Sequence, residues 1–395
     1  MKILYYSSHP NLNLASPSGY GTHMREMIAA FRELGHEVKP VIMGGTSLIN
    51  SDLAIKGRSP LKHLIATCVP NYVWESAKDY RLGRFDNYAS GVLEKNIKDF
   101  QPDLIYERAT YLQTSGVRAA NKWRVKHVLE VNSPYVEERK VLQGNSYFTE
   151  AGIRAEKLQL ESTDKVVVVS SELKEHFMLA HKLDADKFII TPNAIDPAKI
   201  NFDASRVEAL RAGLQLAQKT VIGFVGSIFP WHGVDILIDA FGKVINSGKR
   251  DSHLLIVGDG EILPTLKEKT LKAGLLDKVT FTGNIPHAEV FNYIQLMDIC
   301  VMGKSNWYGS PVKIFEYGAM GKAIIAPDNV PVKDVCKHEE NAILIQPTSE
   351  NIYTAIDLLI SSQQLRNKIS NNFKKQVLSQ HTWLQNAEKV IAAIT

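Results

Sequence analysis

Short apolar runs without alternation recur along the chain. In the first half they are Ile3–Ser7, Val38–Met43, Asp103–Tyr106, Val125–Val131, Val166–Ser170 and Phe188–Thr191. Runs of this kind suit strands buried on both faces. Stretches of helical period separate most of them. Thr22–Leu34 sets Met24, Met27, Ile28, Phe31 and Leu34 on one face, and Gly35 supplies the stop. The second half repeats the logic with Val221–Val225, Leu254–Val257, Val279–Thr282, Ile299–Met302, Ala323–Ala326 and Ala342–Ile345. A last periodic segment, Thr382–Ile394, aligns Trp383, Ala387, Val390 and Ile391. The pattern predicts an α/β chain of two tandem Rossmann-like, doubly wound domains facing a cleft. Residues 1–198 make the first domain and 199–379 the second, with helix 380–395 packing back on the first. The polar stretch 197–217 is expected to be the linker. Ligands are expected beyond the carboxyl ends of the strands.

The 395 residues, 45% hydrophobic and 22% charged, leave room for two ordinary cores. No run approaches the roughly 18 apolar residues of a membrane span. The opening MKILYYSSHP is too short for a signal peptide. Cys68, Cys300 and Cys336 form no metal-spaced pair and no disulfide framework. A cytoplasmic protein is expected, with peripheral contact at the inner membrane face as a further expectation. A net charge of +4 is too small to point to nucleic acid. One region is locally basic and aromatic: Lys56, Arg58, Lys62, Lys78, Arg81 and Arg84, with Tyr72, Trp74, Tyr80 and Phe85. It reads either as a solvated helical surface or as a surface for anionic lipid or a lipid-phosphate acceptor.

Candidate chemistry gathers at the predicted strand ends. Ser310-Pro311-Val312 opens a short helix carrying Lys313 and Glu316. A Ser cap, free first-turn amides and Lys313 suit a phosphate, and Glu316 one turn on suits ribose hydroxyls. The loop Gly226-Ser227 to His232-Gly233 follows the first strand of the second half and offers a second set of phosphate-facing groups. Gly258-Asp259-Gly260 and Gly283-Asn284-Ile285 follow the next two strands and offer backbone to a base edge. In the first half, Gly19 and Gly21 precede a helix. Glu107-Arg108 and Glu130 with Asn132 end strands. Each of these also has a plainer reading as a turn or a structural ion pair. Asp184-Ala185-Asp186 mimics an acidic metal triplet but falls where a polar turn is expected. No metal site is expected.

Six ordered pieces resemble the family 4 glycosyltransferases: SGYGTHMREMIAAFRELGHEV, TPNAID, GFVGSIFPWHGVDILIDAF, LLIVGDGE, VTFTGNIP and SPVKIFEYGAMGKAIIAPD. The resemblance covers nearly the whole chain. It implies the two-Rossmann-domain GT-B architecture and retaining, metal-independent transfer of a hexose-type sugar from a nucleotide-diphosphate sugar (UDP- or GDP-linked). The acceptor is a saccharide or lipid-linked group, in polysaccharide or glycoconjugate synthesis. No separate cofactor is implied. His232, Lys313, Asn132 and Glu130 fall at catalytic positions. Gly226, Ser227, Gly258, Gly283, Asn284, Ile285, Ser310, Pro311, Val312 and Glu316 fall at donor-binding ones. Gly19, Gly21, Glu107 and Arg108 fall on the acceptor side. The chain departs from the family pattern in three places. Tyr308 stands where the first of two motif glutamates is usual, Ser227 and His232 stand for an Arg and a Lys, and Asn132 stands for a His. A nucleotide-sugar epimerase of similar fold and a non-catalytic carbohydrate-binding relative are the alternative readings.

Overall fold

The computed structural model describes residues 1–16, 18–47 and 69–395. Lys56, Arg58, Lys62 and Cys68 lie outside the described residues. The chain divides into two compact units, Met1–Thr191 with Trp383–Thr395, and Pro192–Thr382.

The first unit is built on six parallel strands: β1 (Lys2–Ser7), β2 (Glu37–Ile42), β3 (Leu104–Arg108), β4 (Lys126–Val131), β5 (Lys165–Val168) and β6 (Phe188–Ile190). Their order is β2-β1-β3-β4-β5-β6. Among the described residues six helices join them: α1 (Gly19–Glu33), α2 (Asn71–Phe100), α3 (Ser115–Trp123), α4 (Tyr135–Gln143), α5 (Thr149–Ser162) and α6 (Ser171–His181). Ile3, Leu4, Tyr5 and Tyr6 of β1 are fully buried, as non-alternating strands require. Asp86 of α2 starts α3 from outside. Its carboxylate accepts from the Thr114 and Ser115 amides at 2.9 and 3.0 Å and from Arg118 at 2.9 Å. That satisfies two of the amides a helix start leaves free. The chain order reverses between β1 and β3, the kind of switch point beside which ligands of open α/β sheets bind.

The second unit holds α7 (Ala204–Gly213), β7 (Thr220–Val225), α8 (Val234–Asn246), β8 (Ser252–Val257), α9 (Leu263–Lys272), β9 (Val279–Phe281), α10 (Val290–Leu296), β10 (Ile299–Val301), α11 (Val312–Ala319), β11 (Ala323–Pro327), α12 (Val330–Lys333), β12 (Ile343–Ile345), α13 (Ser349–Ser361) and α14 (Gln363–Gln380). Its parallel sheet runs β12-β11-β10-β7-β8-β9, so its switch point lies between β7 and β10. Stretch 197–217 is not the free linker expected of it. Asp203 caps α7 through the Ser205 and Arg206 amides, and Val207 and Leu210 pack on the core of this unit. The stretch looked polar because α7 is short and mostly exposed. The last helix, α15 (Trp383–Ala392), belongs to the first unit and packs along α1.

Candidate functional site

In the second unit the switch point falls between the loops after β7 and β10, and these carry Ser227, His232, Ser310 and Lys313. Several contacts fix them there. Tyr317 of α11 accepts the Val225 amide at 2.8 Å, tying the helix to the end of β7. The Ser310 hydroxyl accepts the Asn193 amide at 2.9 Å, and the Asn193 side chain donates to the Ser310 carbonyl at 2.5 Å. Ser310 is therefore an anchor for the approach to α11. It is not the expected cap, since Pro311 holds the N-cap position and no side chain caps the helix. The first-turn amides of α11 stay free of side-chain partners, as do those of α8 behind Gly233.

Lys313 lies in the first turn of α11. Its chain is half-buried, but its Nζ is enclosed and makes no hydrogen bond. The ammonium sits over the Phe224 ring, 4.3 Å from the centroid. Burial brings its pKa down to about 8, against the upward pull of Glu316. Glu316 shows the mirror effect. Burial pushes its carboxyl up, and Lys313 draws it back. A Cβ on Gly226 would stand 3.2 Å from Lys313 Nζ, and the residue has φ +139. Glycine here keeps the space above the ammonium open. A buried cation without a partner is costly, so its surroundings suit an anion.

His232 points its Nδ1 at the Ser227 carbonyl, 2.5 Å away. A carbonyl only accepts, so Nδ1 carries the proton and Nε2 presents its lone pair. Burial, then the Lys313 charge, hold the imidazole pKa down at about 4, while the bond to Ser227 pulls the other way. The ring is therefore neutral near pH 7 and ready to take a proton when a strong anion arrives. Gly258 lies against the same loop. Its own φ is +131, its amide donates to the Gly283 carbonyl at 3.1 Å, and a Cβ on it would fall 2.0 Å from the Gly226 carbonyl oxygen. Gly226, Gly258 and Gly283 thus bring three loops together backbone to backbone. Asn284 is exposed, and Ile285 packs on the core.

In the first unit, Arg108, Glu130 and Asn132 come together at the ends of β3 and β4. Glu130 is fully buried. It accepts from Tyr106 at 2.9 Å, Arg108 at 2.6 Å and Asn132 at 2.5 Å, and His23 Nε2 lies 3.2 Å away. Burial pushes its pKa up, but His23 and Arg108 outweigh it and set the carboxyl at about 2. With its lone pairs taken, Glu130 orients its neighbours and has no capacity left to act as a base.

Glu107 corrects the expectation of an acceptor-side group. It points to the other face of the sheet and is fully buried. His127 Nε2 lies 3.0 Å from its Oε2, and a Cβ on Gly116 would come within 2.1 Å of that oxygen. It is sealed from solvent in this structure. Gly21 is also explained by its turn, because a Cβ there would stand 2.2 Å from the Ser16 carbonyl oxygen. A Cβ on Gly19 would meet nothing within 4 Å, so this position faces open space. His23 was not singled out in the sequence. Its partners, Glu130 and the Trp383 ring at 4.7 Å, come from distant parts of the chain. The one local signal was a histidine within the glycine-opened first turns of α1. Among the described residues no three His, Cys, Asp or Glu side chains gather as metal ligands. The Asp184–Asp186 stretch is a single 3-10 turn.

The family model for glycosyltransferase family 4 matches residues 17–199, and that for glycosyl transferases group 1 matches residues 207–376. The chain is a family 4 glycosyltransferase. The glycosyltransferase is 25% identical over 232 residues to an uncharacterized glycosyltransferase of Methanocaldococcus jannaschii, covering 58% of each chain. It is 23% identical over 237 residues to the GDP-mannose-dependent alpha-(1-6)-phosphatidylinositol monomannoside mannosyltransferase of Mycobacterium tuberculosis, covering 58% of this chain and 61% of that one. The chain thus spans about three fifths of the length of these relatives. Its fold matches the crystal structure of Anabaena Alr3699/HepE in complex with UDP, with a TM-score of 0.73 at 17% identity over 100% of this chain and 99% of that one. The glycosyltransferase has the GT-B fold, with two parallel sheets of six strands each. Among the described residues no helix is long and apolar enough to cross a membrane.

Proposed function

We propose that the protein moves a hexose-type sugar from a UDP- or GDP-sugar to a saccharide or lipid-linked acceptor, with retention at the anomeric carbon. The second unit takes the donor and the first takes the acceptor. The observation that carries this reading is the enclosed, unpartnered Lys313 ammonium beneath Gly226. Lys313 lies in the first turn of α11, whose amides, like those of α8, have no side-chain cap, and its charge acts on the His232 imidazole. These groups together suit a diphosphate, and Glu316 suits the ribose hydroxyls beside it. UDP in the structure of similar fold and GDP-mannose in the name of the mycobacterial relative both fit this donor class.

The bond from the anomeric carbon to the diphosphate oxygen breaks, and one to the acceptor oxygen forms on the same face. Negative charge grows on the leaving diphosphate. Lys313, the amides and a His232 that takes up a proton at Nε2 stabilise it, which is where catalytic electrostatics act most strongly. The acceptor proton passes to the departing phosphate oxygen, so no side-chain base is required. This positive charge comes from the chain itself, and the reaction proceeds without a divalent metal. On the acceptor side, Glu130 holds Arg108 and Asn132 in place, and Gly19 leaves an opening at the start of α1. A lipid-linked acceptor would suit a cytoplasmic enzyme in peripheral contact with the inner membrane face.

Calorimetry with UDP and GDP on the wild type and Lys313→Met tests the reading. One nucleotide binds the wild type, and the variant loses at least about tenfold in affinity, as expected for a charge-assisted contact of about 1.5–3 kcal/mol. Equal affinity in a folded variant removes Lys313 from the site.

A further inference from the structure

Helix α2 sorts its charges by face over its first five turns. Its carboxylates there, Glu75, Asp79 and Asp86, are all buried. Each is answered from inside the unit. Arg139 Nη2 lies 3.0 Å from both Glu75 Oε2 and Asp79 Oδ1, and Arg118 Nη2 lies 2.9 Å from Asp86 Oδ2. The opposite face presents Val73, Ala77, Tyr80, Arg81, Arg84 and Tyr88 at helical spacing, and all six are exposed. Val73 and Tyr80 are each 52% exposed and Tyr88 is 64% exposed. No carboxylate interrupts this face.

A second apolar group stands at the start of the same helix. Val141 and Leu142, at the end of α4, are 83% and 63% exposed, and Tyr147 is 77% exposed. Two hydrogen bonds tie the group to α2. Asn71 Nδ2 donates to the Gln143 carbonyl at 2.8 Å, and the Tyr147 amide donates to the Ser76 hydroxyl at 2.9 Å. Lys140 is exposed beside it. An ordinary solvated helix interleaves both signs of charge and hides its large apolar groups. The α2 face has large apolar groups, tyrosines and positive charge only, and at the corner the exposed carboxylate of Glu137 lies 3.5 Å from His176 Nε2.

We infer that the outward face of α2, with the 141–147 corner, docks on an anionic lipid bilayer. The aliphatic and tyrosine side chains enter the headgroup layer, and Arg81, Arg84 and Lys140 meet lipid phosphates. A second copy of the chain is a poor occupant. A two-fold contact would face Arg81 and Arg84 with their own like charges and offer them no carboxylate. The inference rests on the first unit alone and stands apart from the donor reading.

Co-sedimentation of the full chain with vesicles tests it. Phosphatidylcholine vesicles containing phosphatidylglycerol are compared with phosphatidylcholine alone, at low and high salt. The wild type is expected to sediment only with the anionic vesicles, and less at high salt. Arg81→Gln with Arg84→Gln should weaken binding by about fivefold for each cation removed. Val141→Ser, Leu142→Ser and Tyr147→Ser together should weaken it while keeping the salt dependence. All five positions are exposed, so melting temperature and nucleotide binding should stay as in the wild type. Absence of sedimentation at low salt overturns the inference, as does binding that neither variant diminishes. A wild-type dimer that the apolar variant converts to monomer, or retention of the wild type on DNA in preference to anionic vesicles, also overturns it.

Discussion

Lys313 Nζ lies 4.3 Å from the centre of the Phe224 ring, enclosed and without a hydrogen-bond partner. A ring face answers part of the charge, typically for 1 or 2 kcal/mol, and an anion is needed to answer the rest.

Lys313→Met should therefore separate stability from binding. The lysine has a folded pKa of about 8, below its ordinary 10.5. Between those values the unfolded chain holds the extra proton, so the destabilisation is full below pH 8 and is relieved as pH rises towards 10.5. At pH 7 the Met variant should melt a few degrees higher than the wild type without nucleotide, for a gain on the order of 1–3 kcal/mol. It should lose most of its thermal shift with UDP or GDP. Scanning calorimetry reads both, and a variant less stable than the wild type would contradict the enclosed charge.

Nucleotide affinity of the wild type should fall as pH rises through about 8, where Lys313 loses its proton. Binding raises that pKa, so protons are taken up on association. Calorimetry in buffers of different ionisation enthalpy measures the uptake. A pH-independent affinity identical to that of the Met variant would count against Lys313 as the phosphate cation.

Glu316→Gln should cut nucleotide affinity by about tenfold if the carboxylate accepts from ribose hydroxyls. It should not cost stability, because burial already raises this carboxyl. Affinity for the corresponding diphosphate without ribose, simple pyrophosphate, should be unchanged. Equal losses for both ligands would place Glu316 on the phosphates instead.

Glu130 titrates at about 2, against an ordinary 4.5. A depressed carboxylate contributes stability that is present above the unfolded pKa and is lost as pH falls through the folded one. That contribution is on the order of 3 kcal/mol. Glu130→Gln should lower stability at pH 7 and flatten the acid limb between about pH 4.5 and 2. An unchanged acid limb in urea titrations would show that His23 and Arg108 do not act on this group as their distances imply.

Much of this was legible in the sequence because buried parallel strands leave a plain trace. Ile3–Tyr6 and Val221–Val225 carry no charged side chain and bury nearly every residue, and the chemistry of such sheets collects where the strands stop. Lys313 and His232 could be marked for that reason. Other features left no such trace. Glu107 and Arg108 are neighbours in sequence, yet a strand sends them to opposite faces. Only the packing of α3 shows that Glu107 is sealed. Ser310 preceded a helix and read as its cap, but Asn193, far off in sequence, claims the hydroxyl. His23 gained its place from Glu130 and Trp383, which no window around residue 23 contains. The acids Glu75, Asp79 and Asp86 fell on one helical stripe, a signal of inward charge masked by the many cations around them.

The second unit begins and ends at one edge: Ile195 pairs with Thr382, and its amide donates to the His381 carbonyl at 3.0 Å. Everything between is in effect an insertion into the first unit, whose final piece is α15. The unit that is synthesised first is therefore completed last. Residues 1–191 emerge without the helix that covers His23 and pack fully only after the whole second unit has been made. A stop codon at Trp383 would strike the first unit and spare the second. Residues 192–382, with their ends already joined, form the piece that can be lifted out whole.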